Sequence, residues 1–300
     1  MNAQIKRRDR YDTAPTLNKR GQPVRAYMTP RQRQILHHLA DQSPLSIYDI
    51  HAVVGGNLRA LRETVRRLKD EPTGFIRILP EQQRNPTYRE NLLYELAPRG
   101  VEWLNANGKL AFQPRRVYNK SHANLVSHIV TSIRAGIAQT PGARLITWDE
   151  IKAHPKFPKH SEAHDKVRPD THPFRIELIK NGVPTWRTLV IEADNGTETI
   201  KPTRPEKYTG NSIYAKFEAY FEFMRNEEFK ARYGVSNYYV LFVFNSRSRL
   251  DNAKALLASM GGSRFILFQQ SYQDPQAPPG YVFTSVCERA GHPPLYLNQP

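Results

Sequence analysis

The alternation of polar and apolar positions between residues 29 and 69 predicts three consecutive helices. A capping box, in which Thr29 and Gln32 satisfy each other's backbone N–H groups, begins the first helix. Ser46 opens a second, shorter helix, which the pair Gly55-Gly56 ends. Asn57 can cap a third helix that continues to about residue 69.

The third predicted helix carries two neighbouring stripes of different chemistry. Its apolar residues recur at spacings of three and four and therefore share one buried face: Leu58, Leu61, Val65 and Leu68. Basic residues follow at the same spacing, about 100 degrees further round the helix: Arg59, Arg62, Arg66 and Lys69. Such a helix is typical of a recognition helix in the DNA major groove, and a solvated basic face is the alternative.

Two apolar runs separated by a polar tip follow this helix and predict a β-hairpin. The runs span residues 74–79 and 91–96, and Pro98 begins a closing helix. Two arginines of the tip, Arg84 and Arg89, are placed to touch DNA phosphates. Three helices, a hairpin and a helix together predict a winged helix-turn-helix DNA-binding domain over residues 29–107.

The pattern over residues 122–300 predicts a second domain of the α/β class. A long amphipathic helix and a short strand at 144–147 come first. Strands at 174–179 and 186–193 then form a hairpin, because Asn181-Gly182 is a strong turn signal. A helix, an apolar strand at 238–244, another helix and a last strand at 264–268 complete a sheet sandwiched by helices.

The charge of the chain indicates a nucleic-acid partner. The 300 residues carry a formal net charge of +16, and such an excess attracts phosphate backbones. Residues 1–28 are basic without apolar periodicity and predict a flexible arm. Residues 108–121 predict a basic linker, in which Arg115 and Arg116 join the DNA-binding set. Solubility alone is the other role that this charge can have.

Cysteine usage and hydropathy restrict the cellular compartment in which this protein is expected. The single cysteine excludes a disulfide framework, and the basic N-terminus lacks the apolar core of a signal peptide. No apolar run has the length needed to span a bilayer. We therefore expect a cytoplasmic protein without membrane attachment.

Three carboxylates are predicted to converge at one edge of the second domain's sheet. Glu192 and Asp194 end a strand and point the same way, since side chains alternate along a strand. The hairpin brings the region of Asp170 back alongside Glu192. Like charges there repel unless a cation neutralises them, and Mg²⁺ or Mn²⁺ can also activate water against a phosphodiester. Solvated acids at strand ends are the alternative.

Two short motifs carry a resemblance to known families. Arg168-Pro169-Asp170 and Ile191–Glu198, in an αβββαβ order, resemble the PD-(D/E)XK nuclease superfamily. Preceded by the winged helix, they look like the replication-relaxation family, which is found on plasmids and mobile elements. The resemblance implies a PD-(D/E)XK-like sandwich in which Asp170 and Glu192 bind the metal ion.

The sequence departs from the nuclease pattern two positions after Glu192, where the superfamily has lysine and this chain has Asp194. That lysine normally helps to position the attacking water and to stabilise developing charge. A lysine from the next helix can replace it, and Lys216 is the best candidate. The predicted catalytic set is therefore Asp170, Glu192, Asp194 and Lys216, with the three acids on Mg²⁺ or Mn²⁺.

Three functions fit these observations. The first is a double-stranded DNA-binding accessory protein of a plasmid or mobile element, acting in replication, relaxation or mobilisation, whose nuclease-like domain holds DNA without cutting. The second is an active Mg²⁺-dependent endonuclease or nickase. The third is a transcriptional regulator that forms a homodimer through its second domain. We favour DNA binding over catalysis, because the motif lacks its lysine; convergence of Asp170, Glu192 and a lysine would strengthen the enzyme hypothesis.

Overall fold

The structure of the chain is a computed structural model that describes residues 28–70, 74–80, 82, 92–107, 120–155, 157–158, 167–202, 212–271 and 278–299. The chain divides into two compact units, Met1–Val117 and Tyr118–Pro300. Most of the predicted arm and linker lies outside the described residues, as do four of the predicted DNA contacts: Arg84, Arg89, Arg115 and Arg116.

The first unit combines helices with a small antiparallel sheet. In chain order, its elements are α1 (Pro30–Asp41), β1 (Leu45–Ser46), α2 (Ile47–Val54), α3 (Leu58–Lys69), β2 (Ile76–Ile78), β3 (Leu93–Leu96) and α4 (Pro98–Ala106). The strand order is β1-β3-β2, with both pairs antiparallel. Strand β1 was not predicted, because two residues are too few to display a period.

Side-chain caps fix where the helices of this unit begin. The capping box between Thr29 and Gln32 is confirmed, and Ser46 forms a second one with Asp49. The side chain of Asn57 accepts a hydrogen bond from the backbone of Ala60 and begins α3. Each cap satisfies backbone N–H groups that have no partner inside the helix. The apolar faces of these helices pack into one core with residues of β2, β3 and α4.

The second unit is built on a five-stranded mixed sheet, which confirms the α/β class. Its elements are α5 (Lys120–Gln139), β4 (Ala143–Ile146), α6 (Trp148–Ala153), β5 (Phe174–Lys180), β6 (Val183–Asp194), α7 (Ile213–Arg225), α8 (Glu228–Tyr233), β7 (Tyr239–Phe244), α9 (Arg247–Ser259), β8 (Ile266–Gln270), α10 (Tyr281–Thr284), β9 (Val286–Cys287) and β10 (Leu295–Tyr296). The strand order is β4-β5-β6-β7-β8.

Strand direction in this sheet follows from the connections. Strands β4, β5 and β6 are antiparallel neighbours, and β5 turns into β6 through Asn181 and Gly182, whose φ angles of 51° and 77° suit a tight hairpin. Strands β6, β7 and β8 are parallel, and the chain returns through helices between them. The acidic end of β6 therefore lies beside the carboxyl end of β7 and at the same edge of the sheet as that of β8.

The sheet separates two apolar cores. One core lies against α7 and α9 and receives Val190, Phe242 and Phe244; the other lies against α5 and α10 and receives Leu241 and Val243. Because β7 contributes to both, its continuous apolar sequence is explained by burial on both faces, as predicted.

The short elements of the second unit are the ones that sequence patterns did not predict. Helices α6, α8 and α10 have six residues or fewer, and β9 and β10 have two each. Strand β6 also begins at Val183 rather than at 186, because it pairs with β5 up to the turn. None of the helices in the described part of the chain combines the length and the apolar character that crossing a membrane requires.

Candidate functional site

The four predicted DNA-binding residues of α3 all lie on its exposed surface. Arg59, Arg62, Arg66 and Lys69 are exposed, whereas Leu61, Val65 and Leu68 are buried in the core of the first unit. The helix is amphipathic because the apolar stripe binds the core and leaves the basic stripe facing solvent. The predicted separation of the two stripes is therefore present in the fold.

The basic residues of α3 differ in their partners. Arg66 forms ion pairs with Glu63 at 2.8 Å and with Asp70 at 2.9 Å, and Arg67 pairs with Glu63 at 3.0 Å. Hydrogen bonds from Arg66 and then from Arg67 lower the pKa of Glu63 to about 2. Arg59 and Arg62, in contrast, form neither a hydrogen bond nor an ion pair with any described residue.

Two side chains outside α3 stabilise the turn that precedes it. The guanidinium of Arg31 donates to the carbonyl oxygen of Gly55 at 2.7 Å, and Nε2 of His51 donates to that of Gly56 at 2.7 Å. Both glycines have positive φ, where other residues are strained. Sequence patterns identified the glycine turn but gave no signal for the roles of Arg31 and His51.

In the second unit, Asp170 lies directly beside β6. Its backbone N–H donates to the carbonyl of Ile191 at 3.0 Å, and its Oδ2 accepts from the backbone N–H of Ala193 at 2.7 Å. These two bonds connect Asp170 to the residues immediately before and after Glu192. The carboxyl group of Asp170 is thus held at the end of β6, where the sequence placed it.

Glu192 is almost completely buried between β6 and α7. Its Oε2 accepts from Nζ of Lys216 at 2.9 Å, and its Oε1 accepts from the hydroxyl of Tyr220, one turn later on α7. Burial is the main cause that raises the pKa of Glu192 to about 7; Lys216 opposes this shift and the charge of Asp170 adds to it. A buried carboxyl with a raised pKa beside a second acid is a frequent feature of functional sites.

The ammonium group of Lys216 bridges two acids. Besides Glu192, it donates to Oε1 of Glu198 at 2.8 Å. Burial lowers the pKa of Lys216, but the attraction of Glu192 and Glu198 outweighs it, and the net shift is upward. Lys216 therefore stays charged at neutral pH. It lies beside Glu192, and a lysine from the following helix was predicted there.

Asp194 points to the same side of the sheet as Glu192 but has other partners. Arg249 of α9 holds it with two hydrogen bonds, at 2.6 Å to Oδ2 and 3.0 Å to Oδ1. The backbone N–H of Gly196 also donates to Oδ1, at 3.0 Å. Both carboxylate oxygens of Asp194 are thus engaged by the protein, as are those of Glu192, and the metal-binding and catalytic roles of Asp194 stay a prediction.

His122, near the start of α5, adds to the site a residue from the helix on the other side of the sheet from α7. Its Nε2 lies 2.8 Å from Oδ1 of Asp170. The hydrogen bond to Asp170 is the main cause that raises the pKa of His122, against the effect of burial. The carboxyl group of Asp170 thus lies between the imidazole of α5 and the backbone of β6.

Two carboxylates of this site, Asp170 and Glu192, have the donor chemistry that a divalent cation prefers. Within the described residues, no group of three or more His, Cys, Asp or Glu side chains is arranged to hold a metal ion. Asp170 and Glu192 both supply carboxylate oxygens, which are hard donors, at the end of β6, and each of these oxygens is already hydrogen-bonded by the protein. Mg²⁺ is commonly held by one or two carboxylates together with water and phosphate oxygens. Binding of Mg²⁺ or Mn²⁺ by Asp170, Glu192 and Asp194 therefore stays a prediction, and it requires these carboxylates to exchange present hydrogen bonds for the cation.

Several residues of the site were not identified from the sequence. His122 and Arg249 lie on helices far along the chain from the acidic motif, and only the fold brings them to it. Tyr220 lies four residues after Lys216, a spacing that places both on one face of α7, but its apolar ring gave no indication of a contact with an acid. Glu198 lies within the motif Ile191–Glu198, but nothing in its sequence context indicated a contact with the lysine.

Of the comparisons with known proteins, the one with family models identifies the family of this chain. The family model described as replication-relaxation matches residues 36–238, which is more than half of the chain. The chain therefore belongs to the replication-relaxation family, which associates it with the replication of plasmids and mobile elements. No curated protein matches the chain. No solved structure matches it either.

Proposed function

We propose that this protein is a double-stranded DNA-binding accessory protein of a plasmid or mobile element. In this proposal, the first unit is a winged helix-turn-helix and α3 is its recognition helix. The observation that carries the proposal is the exposed arginine-rich face of α3 beside its buried apolar face. Two capped helices precede α3, and the paired strands β2 and β3 follow it, in the order of a winged helix.

Charge and local rigidity support this role. A formal net charge of +16 attracts the phosphate backbone without regard to sequence. The bonds from Arg31 and His51 to the glycine turn restrain the direction in which α3 leaves α2. A rigid, exposed and basic helix loses little conformational entropy when it enters a groove.

Charge reversal tests this proposal. We expect Arg59→Glu combined with Arg62→Glu to weaken the binding of a short fluorescein-labelled duplex by at least about tenfold, measured by fluorescence anisotropy at moderate salt. The matched control is Lys180→Glu with Arg225→Glu, which changes the net charge equally at exposed positions of the second unit. Equal losses in both double variants would mean that only the total charge matters.

A second candidate function is phosphodiester cleavage by the second unit. The contact of Lys216 with Glu192, and the position of Asp170 beside the same strand, favour it. In this candidate, Asp170 and Glu192 hold the cation and Lys216 stabilises negative charge on the phosphate. The cation, when bound, supplies a water of lowered pKa as the nucleophile. Lys216 would then replace the lysine that is missing two positions after Glu192.

We rank DNA binding first, because both candidates require it while cleavage needs the additional assumption of a bound cation. The discriminating experiment incubates supercoiled plasmid with the protein and Mg²⁺ or Mn²⁺ and follows the nicked form on a gel. The nuclease candidate expects nicking by the wild type, none by Glu192→Ala, and unchanged nicking by Glu228→Ala at an exposed site of α8. Equal absence of nicking in the wild type and in Glu192→Ala would exclude it.

A further inference from the structure

The positive charge of α3 is unevenly distributed along the helix. Residues 58–62 contain two arginines and no acid, whereas residues 63–70 contain three basic and two acidic side chains. The larger excess of positive charge therefore lies in the first turn and a half, next to the helix N-terminus. The positive end of the helix dipole adds to the potential there, which favours the approach of DNA.

The two halves also differ in how their arginines are engaged. Arg66 is bound by Glu63 through both Nε and Nη2 and by Asp70 through Nη1, so that three of its donor atoms are already used. Arg59 and Arg62 are exposed and have no such pairs among the described residues. The guanidinium groups of Arg59 and Arg62 are therefore available to a partner, whereas that of Arg66 must first leave two carboxylates.

Leaving those carboxylates would have an electrostatic consequence. If Arg66 turned towards DNA, Glu63 would lose its main partner and Asp70 would lose one, and both would face the phosphates with less compensation. Surface ion pairs are individually weak, so the pairs alone do not hold Arg66 rigidly. The repulsion between the released acids and the phosphate backbone makes a turn of Arg66 towards DNA less favourable. Arg66 is thus better suited to screening Glu63 and Asp70 than to contacting a base.

We infer that Arg59 and Arg62 are the residues with which this protein selects its DNA sequence, and that they select guanines. This inference rests on the proposed function. An arginine guanidinium matches the N7 and O6 acceptors of guanine in the major groove, and residues near the start of a recognition helix are the ones that reach base edges. Arg59 and Arg62 are separated by three residues, or about 4.5 Å of helix rise, against about 3.4 Å per base pair. The preferred duplex therefore contains two guanines on adjacent or next-but-one base pairs.

The experiment is a selection from a library of randomised duplexes with the full chain, followed by sequencing of the bound DNA. We expect the wild type to enrich the guanine pair and Arg59→Ala and Arg62→Ala each to lose one guanine, with the preference at that position falling about ten- to a hundredfold. Arg66→Ala is the matched control, since it removes an arginine of the same helix. It should retain the selected sequence even where its affinity changes.

The outcomes separate this inference from the function on which it rests. Binding of duplex DNA by the wild type without guanine enrichment would overturn the inference and leave DNA binding intact. A change of the selected sequence in Arg66→Ala as large as in Arg62→Ala would also overturn it. Failure of the wild type to bind any duplex would refute the proposed function itself. Circular dichroism of each variant verifies that α3 still folds.

Discussion

The replacement Glu192→Gln probes the most strongly perturbed acid of the second unit. Glutamine has nearly the same shape as glutamate, so the packing between β6 and α7 is retained while the negative charge is removed. Burial raises the pKa of Glu192 to about 7 from its ordinary value of 4.5. The folded protein therefore binds this proton more tightly than the unfolded chain does.

The sign and size of the effect follow from that difference. Below about pH 4.5 the carboxyl group is protonated in both states, and above about pH 7 it is ionised in both. Between these values, unfolding releases a proton, so the stability of the wild type falls as the pH rises. Each unit of pKa difference corresponds to about 1.4 kcal/mol, which gives a total loss of about 3 kcal/mol relative to Glu192→Gln.

The assay is urea unfolding at a series of pH values in the presence of EDTA. Replacing Trp103 by Phe in both proteins leaves Trp148 and Trp186 as the reporters, so that tryptophan fluorescence follows the second unit. The quantity compared is the free energy of unfolding of Glu192→Gln minus that of the otherwise identical parent. This comparison cancels the titration of every other group that the two proteins share.

The prediction is that this difference increases by about 3 kcal/mol from pH 4.5 to pH 8 in favour of the glutamine variant. A difference that stays constant over this range would contradict the raised pKa, because it would mean that Glu192 ionises equally easily in the folded and unfolded states. A difference of opposite sign would mean that Lys216 and Tyr220 stabilise the carboxylate more than burial destabilises it.

Three further changes test the packing, the ion pairs and the caps by urea unfolding. Gly136→Ala should destabilise the second unit by about 1–3 kcal/mol, since a Cβ would lie 2.6 Å from that of Phe283; an unchanged midpoint would contradict this close contact. Arg249→Met should cost about 3–5 kcal/mol, because the buried charge of Asp194 loses its cationic partner, and the added change Asp194→Asn should restore much of that stability. Thr29→Ala should cost about 1 kcal/mol in the first unit; no loss would mean that the cap contributes nothing.

Features that depend on a short local stretch of sequence were predictable. The caps of α1 and α3, the hairpin turn at Asn181-Gly182 and the apolar strand β7 depend on neighbouring residues only, and the fold contains all of them. The short elements were not predictable, because two to six residues show no period and are stabilised by tertiary packing. Strand β1, for example, exists only because Leu45 and Ser46 pair with β3.

The candidate site was predictable only in part, for a similar reason. Alternation along β6 placed Glu192 and Asp194 on one side, and the helical position of Lys216 suggested that it could reach the acids. Alternation says nothing about what lies opposite each side chain, however. The pairing of Asp194 with Arg249 and the contact of His122 with Asp170 depend on the packing of α9 and α5, which the sequence does not display.

Binding of duplex DNA through α3 is tested by the affinity of the chain for a labelled duplex at moderate salt. We expect Arg59→Glu with Arg62→Glu to weaken binding by at least about tenfold, while the equally charged control at Lys180 and Arg225 binds nearly as the wild type does. Unchanged affinity of the Arg59 and Arg62 double variant would mean that the basic face of α3 is only a solvated surface and that α3 is not a recognition helix.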